Sequence, residues 1–346
     1  MPSVTSRSAS NKSQLTQRWE CDAGDYVAAA AISQDGRLGV VGTGDGTVLG
    51  LELETGRELF RSKAHAGGVL GIAISPDSAQ FATCGQEPNA KIWRATGQLV
   101  CDLPGGGAAW VEHVAWAPSG GQIATAAGRK ARLWNADGAP LLETEPLEST
   151  VSGLCFRSDG TALAAIGYGA VHVWPLVPGA KPRRFEWKGS LISLAWSPDA
   201  KVIACGSQDG SVHFWRLASG RDSEMSGYPF KPKALAWDSE SKLLATGGDA
   251  TATVWDFRGK GPEGTQPIQL KAHKSVCTRL AFSPRKIVLA SGAQDGSVLL
   301  WEPRRSTRPI RYAFLEDEVA ALVWHPDHCG LLGGDAHGTL RFWETG

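Results

Sequence analysis

The chain has 346 residues, 42% hydrophobic and 20% charged, with 35 basic residues balanced by 35 acidic ones. Zero formal net charge removes the global electrostatic case for a nucleic acid or an anionic membrane as partner, and no apolar run approaches the ~18 residues of a membrane helix. Seven cysteines with no pairing pattern and no C-x-x-C argue against a disulfide framework and point to a reducing compartment, the cytoplasm.

Residues 1–13, MPSVTSRSASNKS, are polar and serine-rich and lack the apolar core of a secretory signal. They are expected to form a disordered tail, with residues 14–346 as a single domain. Leu15 to Glu20, with Trp19, reads as one isolated strand. From there a unit repeats eight times: apolar stretch, polar turn, then a second apolar stretch closed by a bulky residue. The closing residues are Leu51, Trp93, Trp134, Trp174, Trp215, Trp255, Trp301 and Trp343, spaced 40 to 46 residues apart. The seventh repeat is the clearest. Val276 to Phe282, Ile287 to Ser291, Ser297 to Trp301 and Arg308 to Phe314 read as four short strands, with Gln294-Asp295-Gly296 as a tight turn. The last repeat stops at Gly346 without a fourth strand, so the isolated N-terminal strand is expected to complete it.

A four-stranded meander cannot bury both of its faces alone, and stacking meanders around a ring solves that problem. With this period, the Trp255-Asp256 pair, the aromatic-x-Pro ends Trp196-Ser197-Pro198 and Phe282-Ser283-Pro284, and Ala-His at His65 and His273, the chain resembles a WD40-repeat β-propeller. The resemblance implies an all-β fold of eight four-stranded antiparallel blades, the last closed by the N-terminal strand; seven blades is the alternative. It also implies a structural hydrogen-bond chain of His273, Ser291, Asp295 and Trp301, with His65, Thr83, Glu87 and Trp93 as a variant. The turn acid is expected six residues before the closing residue, where the last repeat carries His337.

Searches for phosphate loops, dinucleotide fingerprints, HExxH and nucleophile elbows are empty. No catalytic residue and no cofactor is expected, and the basic clusters Lys181, Arg183, Arg184 and Arg304-Arg305 read as solvated loops. His325, His328, Cys329, Asp335 and His337 are the nearest approach to a metal cluster, but they fall in loops on opposite rims. In the family, the loops before the first strand and between the second and third strands surround the channel mouth and bind partners. The residues there that no repeat role claims are Tyr26, Trp110, Arg129, Tyr168, Phe230, Lys231, Gln294 and His337. Exposed aromatics beside charges are what binding hot spots are enriched in. The reading is therefore a non-catalytic scaffold for a protein or peptide partner, a monomer within a larger complex. A metal- or small-ligand-handling propeller is the alternative, and an enzyme of unknown reaction the third.

Overall fold

The computed structural model describes residues 13–346. Most of the expected tail therefore lies outside the described residues. Its last member, Ser13, does not belong to a tail: Ser13–Gln14 pairs in parallel with Arg311 and Tyr312. Among the described residues there are strands, turns and loops but no helix.

The strands form eight antiparallel meanders. Meander 1 consists of Val27–Ile32, Leu38–Thr43, Thr47–Glu52 and Glu58–Lys63. Meanders 2 and 3 occupy 69–104 and 111–143, and meanders 6 and 7 occupy 235–271 and 277–314. Meanders 4 and 5 share one long strand, Arg183–Trp196, which joins them into a seven-stranded sheet. Meander 8 has three strands from 319–344, and its fourth is Thr16–Asp22, paired antiparallel from Thr16↔Glu344 to Asp22↔Thr339. Trp19, which the repeat left without a role, sits on this strand. Its ring stacks on Phe342 with centroids 5.6 Å apart, and its Nε1 donates to Leu53 O of meander 1 at 2.8 Å.

Second strands such as Gln80–Gly85 and Val202–Ser207 are buried almost throughout. They therefore read as continuous runs of small and apolar residues rather than alternating ones. Small residues also let neighbours approach. A Cβ on Gly292 would lie 2.4 Å from Val319 Cγ1 of the next meander, and one on Gly334 would lie 2.7 Å from Val27 Cγ1 of the first. First strands pack on one another in chain order, and Val319–Trp324 packs on Val27–Ile32. Fourth strands lie at the perimeter, and Pro140–Glu143 is exposed along its whole length.

The hydrogen-bond chain of meander 7 differs from the expected one by an extra link. Trp301 Nε1 donates to Ser291 Oγ at 2.8 Å, and Ser291 contacts His273 Nε2 at 2.6 Å. His273 Nδ1 then meets Ser297 Oγ at 2.6 Å, and Ser297 donates to Asp295. The Asp295 carboxylate, already accepting from the Ser297 and Lys274 amides, does not reach the imidazole itself. In meander 2 the longer Glu87 does, at 2.6 Å from His65 Nδ1. His65 Nε2 and Trp93 Nε1 both bond Thr83 there. Meander 6 has no histidine at all. Tyr228 Oη takes its place, accepting from Trp255 Nε1 at 2.7 Å and bonding Thr246 at 2.7 Å.

Candidate interaction face

The turns between second and third strands open on one end of the molecule. The Thr43 hydroxyl, with the Thr47 amide and hydroxyl, holds the Asp45 carboxyl down at about 2. Asp209 and Asp295 are likewise lowered by Ser211 and Ser297, against burial that pushes the other way. In meander 8 the turn acid is Asp335, two residues before the expected position. It is fully buried and accepts from the amides of Glu316, His337 and Thr339. His337 is left pointing outward, 3.4 Å from Asp317.

Loops of five meanders converge on a cavity of about 780 Å³, lined by Tyr26, Gln208, Phe230, Lys231, Gln294 and Glu318 among others. Tyr26 is 40% exposed and Phe230 56%. Neither ring belongs to the hydrophobic core between meanders, and both present a face to solvent. Four of the sequence-derived residues, Tyr26, Phe230, Lys231 and Gln294, thus share one site. Trp110, Arg129, Tyr168 and His337 do not line it. Trp110 and Tyr168 are exposed on meanders 3 and 4, which contribute no lining residue. The Arg129 Nε donates to Leu147 O at 2.5 Å, which ties down the 144–151 loop.

Sequence reading missed a set of side chains on the first strands. Ser152 Oγ donates to Leu191 O (2.5 Å), Ser193 Oγ to Pro232 O (2.8 Å) and Thr278 Oγ1 to Val319 O (2.7 Å). Arg279 Nε donates to Ala320 O at 2.6 Å, and His113 Nε2 lies 3.2 Å from Val151 O. Each bond staples one meander to the next. The signal was present as a hydroxyl, Arg or His inside an otherwise apolar first strand. Arg279 also brings its charge to the cavity wall, beside Lys233.

Burial pushes the thiol of Cys277, which borders the cavity, up to about 12, so it stays protonated and poorly nucleophilic. Nor do the last-repeat candidates form a metal centre. His325 Nε2 meets Gly36 O at 3.2 Å, His328 Nδ1 meets Ser283 Oγ at 2.6 Å, and Asp335 and His337 lie at the other end of Gly330–Asp335. Among the described residues no group of three or more His, Cys, Asp or Glu is placed to hold a metal ion. Of the basic clusters, Arg184 pairs with Glu148 at 3.2 Å and Arg305 with Glu302 at 3.1 Å.

The family model of the WD domain, G-beta repeat (WD40), matches residues 56–94, 97–135, 182–216, 225–256 and 264–302, more than half of the chain. The chain belongs to the WD40-repeat family. WD40-repeat relatives generally act as protein-interaction scaffolds rather than enzymes. The chain is 40% identical over 81 residues to Protein FIZZY-RELATED 1 of Arabidopsis thaliana, covering 22% of this chain and 17% of the relative. It is 28% identical over 176 residues to the U3 small nucleolar RNA-associated protein 15 homolog of Xenopus laevis, covering 49% and 34%. It is 30% identical over 169 residues to human apoptotic protease-activating factor 1, covering 46% and 14%. The chain thus spans between 14% and 34% of the length of these relatives. The crystal structure of the computationally designed Ika8 protein shares the fold. The TM-score is 0.79 at 22% identity, over 96% of this chain and 99% of that one.

Proposed function

We propose that residues 14–346 form one closed β-propeller of eight blades, and that it is a non-catalytic platform binding a protein or peptide at the mouth cavity. The ring reading rests on the pairing of Thr16–Asp22 with Thr339–Glu344 and on the close approach of Gly334 to Val27. A cytoplasmic setting agrees with seven unpaired thiols, and the ring acts as one copy within a larger complex.

The observation that carries the binding reading is the convergence of Tyr26, Phe230, Lys231 and Gln294, from three separate meanders or their entry loops, on one cavity with two exposed aromatic rings. A rigid scaffold with aromatic anchors and charges at its rim has the make-up of a hot spot. A larger partner would also cover Trp110, Arg129, Tyr168 and His337 on the same end. The test is capture of a partner by the purified chain, followed by affinity measurements on variants. Phe230→Ala and Lys231→Glu are each expected to weaken binding about tenfold or more, with Trp110→Ala and Tyr168→Ala weaker in effect. A stable partner whose affinity none of these changes lowers would sink the reading.

A further inference from the structure

We infer that the cleft between meanders 5 and 6 is a second subsite, continuous with the mouth cavity, and that together they take one extended peptide with an acidic end at the mouth and an uncharged polar stretch in the cleft. This rests on the proposed binding reading of the mouth.

The cleft arises at one ladder position. Two residues before the closing tryptophan, the third strand faces a fixed partner on the fourth. In meanders 2, 3 and 5 that pair is Lys91 opposite Asp102, Arg132 opposite Glu143 and His213 opposite Glu224. In meander 8 it is Arg341 opposite Glu20. The lysine and arginine pairs are cation and acid, 2.9, 2.8 and 2.6 Å apart, while the His213 ring, which burial holds neutral, lies 3.6 Å from Glu224. In meander 6 the pair is Thr253 opposite Gln269, with Thr251 opposite Lys271 next along. Meanders 1, 4 and 7 carry Leu49 opposite Arg61, His172 opposite Arg184 and Leu299 opposite Tyr312, each with at least one large side chain. In meander 6 neither partner is large or charged, and a cavity of about 520 Å³ opens beside them.

Its walls are built rather than incidental. Phe214 and Met225 of meander 5 form the apolar side, and Thr251, Thr253 and Gln269 the polar one. The longest insertion of the chain closes the far end. Its Pro262–Pro267 part crosses to meander 5, where Glu263 pairs with Arg216 at 2.5 Å and accepts from Ser223 at 2.9 Å. At the near end, Tyr228 and Pro229 border both the cleft and the mouth cavity. The Tyr228 hydroxyl, fixed by Trp255 and Thr246, makes that shared rib rigid.

Size and charge select the occupant. The strand wall from Thr251 to Trp255 is about 13 Å long at ~3.3 Å per residue, room for about four extended residues. Their amides and hydroxyl or amide side chains would meet Thr251, Thr253 and Gln269, while Glu263 is already paired with Arg216 and the remaining charges, Glu224 and Asp249 against Lys271, disfavour an acid there. At the mouth, Lys231, Lys233 and Arg279 outnumber Asp209 and Glu318, and two of the three lie on the segment that follows Tyr228. An acidic residue therefore belongs at the mouth, adjoining the polar stretch.

Random dodecapeptides displayed on phage, selected on the full chain, test this directly, with the selected peptides then measured by fluorescence anisotropy. The expected result is enrichment of Asp or Glu adjoining a run of Ser, Thr, Asn or Gln. Thr253→Arg with Gln269→Glu rebuilds in meander 6 the pair that fills meander 3. It should weaken binding about tenfold or more without changing the circular dichroism. Lys231→Glu with Lys233→Glu should do the same and reduce the salt dependence. Should the cleft variant fail to fold, Lys271→Glu at the exposed rim takes its place with the same expected loss. Selected peptides that ignore the cleft variants but lose affinity with the lysine variants overturn the second subsite and leave the mouth reading standing. Indifference to both sets overturns both. Failure to enrich any peptide overturns the subsite, while capture of a whole partner still decides the mouth.

Discussion

Acidification from pH 7 to pH 5 should cost this fold several kcal/mol, with His273 and His328 carrying the largest shares and His65, His113, His172 and His213, also lowered by burial, adding to it. Burial pushes His273 and His328 down to about 4, and Lys286 adds to the effect at His328. His273 must accept from Ser291 at Nε2 and donate to Ser297 at Nδ1, so a second proton breaks the chain that ends at Trp301. His328 accepts from Ser283 at Nδ1 and packs against Trp324. In the unfolded chain both would take a proton near pH 6.5. The depressed folded value means that this stability is intact above pH 6.5, falls as pH drops, and is fully lost below about 4. At pH 5 each site contributes a loss of about 2 kcal/mol, and about 3 kcal/mol below pH 4. Carboxylates do not confuse this window. Asp45 and Glu263, held near 2 by Thr43 and by Arg216, give up their share only as pH falls through 4. The assay is urea unfolding followed by tryptophan fluorescence at pH 7, 6 and 5, for the parent chain and for His328→Asn. Asparagine tolerates the left-handed backbone at this position, where φ is 65°, and does not titrate. The parent should lose about 2 kcal/mol more than the variant between pH 7 and pH 5. An equal loss in both would refute the assignment of the acid response to His328.

Further substitutions probe the packing. Trp19→Ala removes a buried ring and its bond to Leu53 O at the junction of the two chain ends. It should cost about 3–5 kcal/mol, read as a lowered melting temperature, while Trp110→Ala, at a half-exposed ring, should stay within about 0.5 kcal/mol. Gly292→Ala drives a methyl to 2.4 Å from Val319 Cγ1. It should cost about 1–3 kcal/mol, part of which Val319→Ala restores in the double variant. Ser291→Ala strips the shared partner from the Trp301 and His273 rings. A loss of about 1–3 kcal/mol is expected, with a shift in tryptophan emission as Trp301 loses its acceptor.

The repeat, the closing tryptophans and the strand that completes the last meander could all be read from the sequence, because each depends on local pattern: apolar period, turn residues and a spare strand. What could not be read depends on register. His337 stood at the spacing of a turn acid, yet Asp335 took that place, because a buried carboxylate surrounded by backbone N–H groups gains more than an exposed imidazole would. Ser297 stands between His273 and Asp295, whereas Glu87 at the same spacing bonds His65 directly. The eight residues singled out as unclaimed by the repeat split in two for a similar reason. Loop position says which end of the molecule a side chain occupies, and it does not say how far around the ring it lies.

This bears on where the function of a degenerate repeat protein should be sought. Loops vary freely because no packing constrains them, so an odd loop residue carries weak information. A departure inside a strand, at a position where three other meanders place an ion pair, removes stabilising contacts and leaves a void, which costs free energy unless something occupies it. Thr253 and Gln269 are such a departure. They lie beside the longest insertion and beside Tyr228, which replaces the missing histidine of the same meander. Three changes in one meander, each altering the same cleft, are harder to attribute to drift than eight scattered loop residues. That coincidence is the reason to test Thr253 before Trp110.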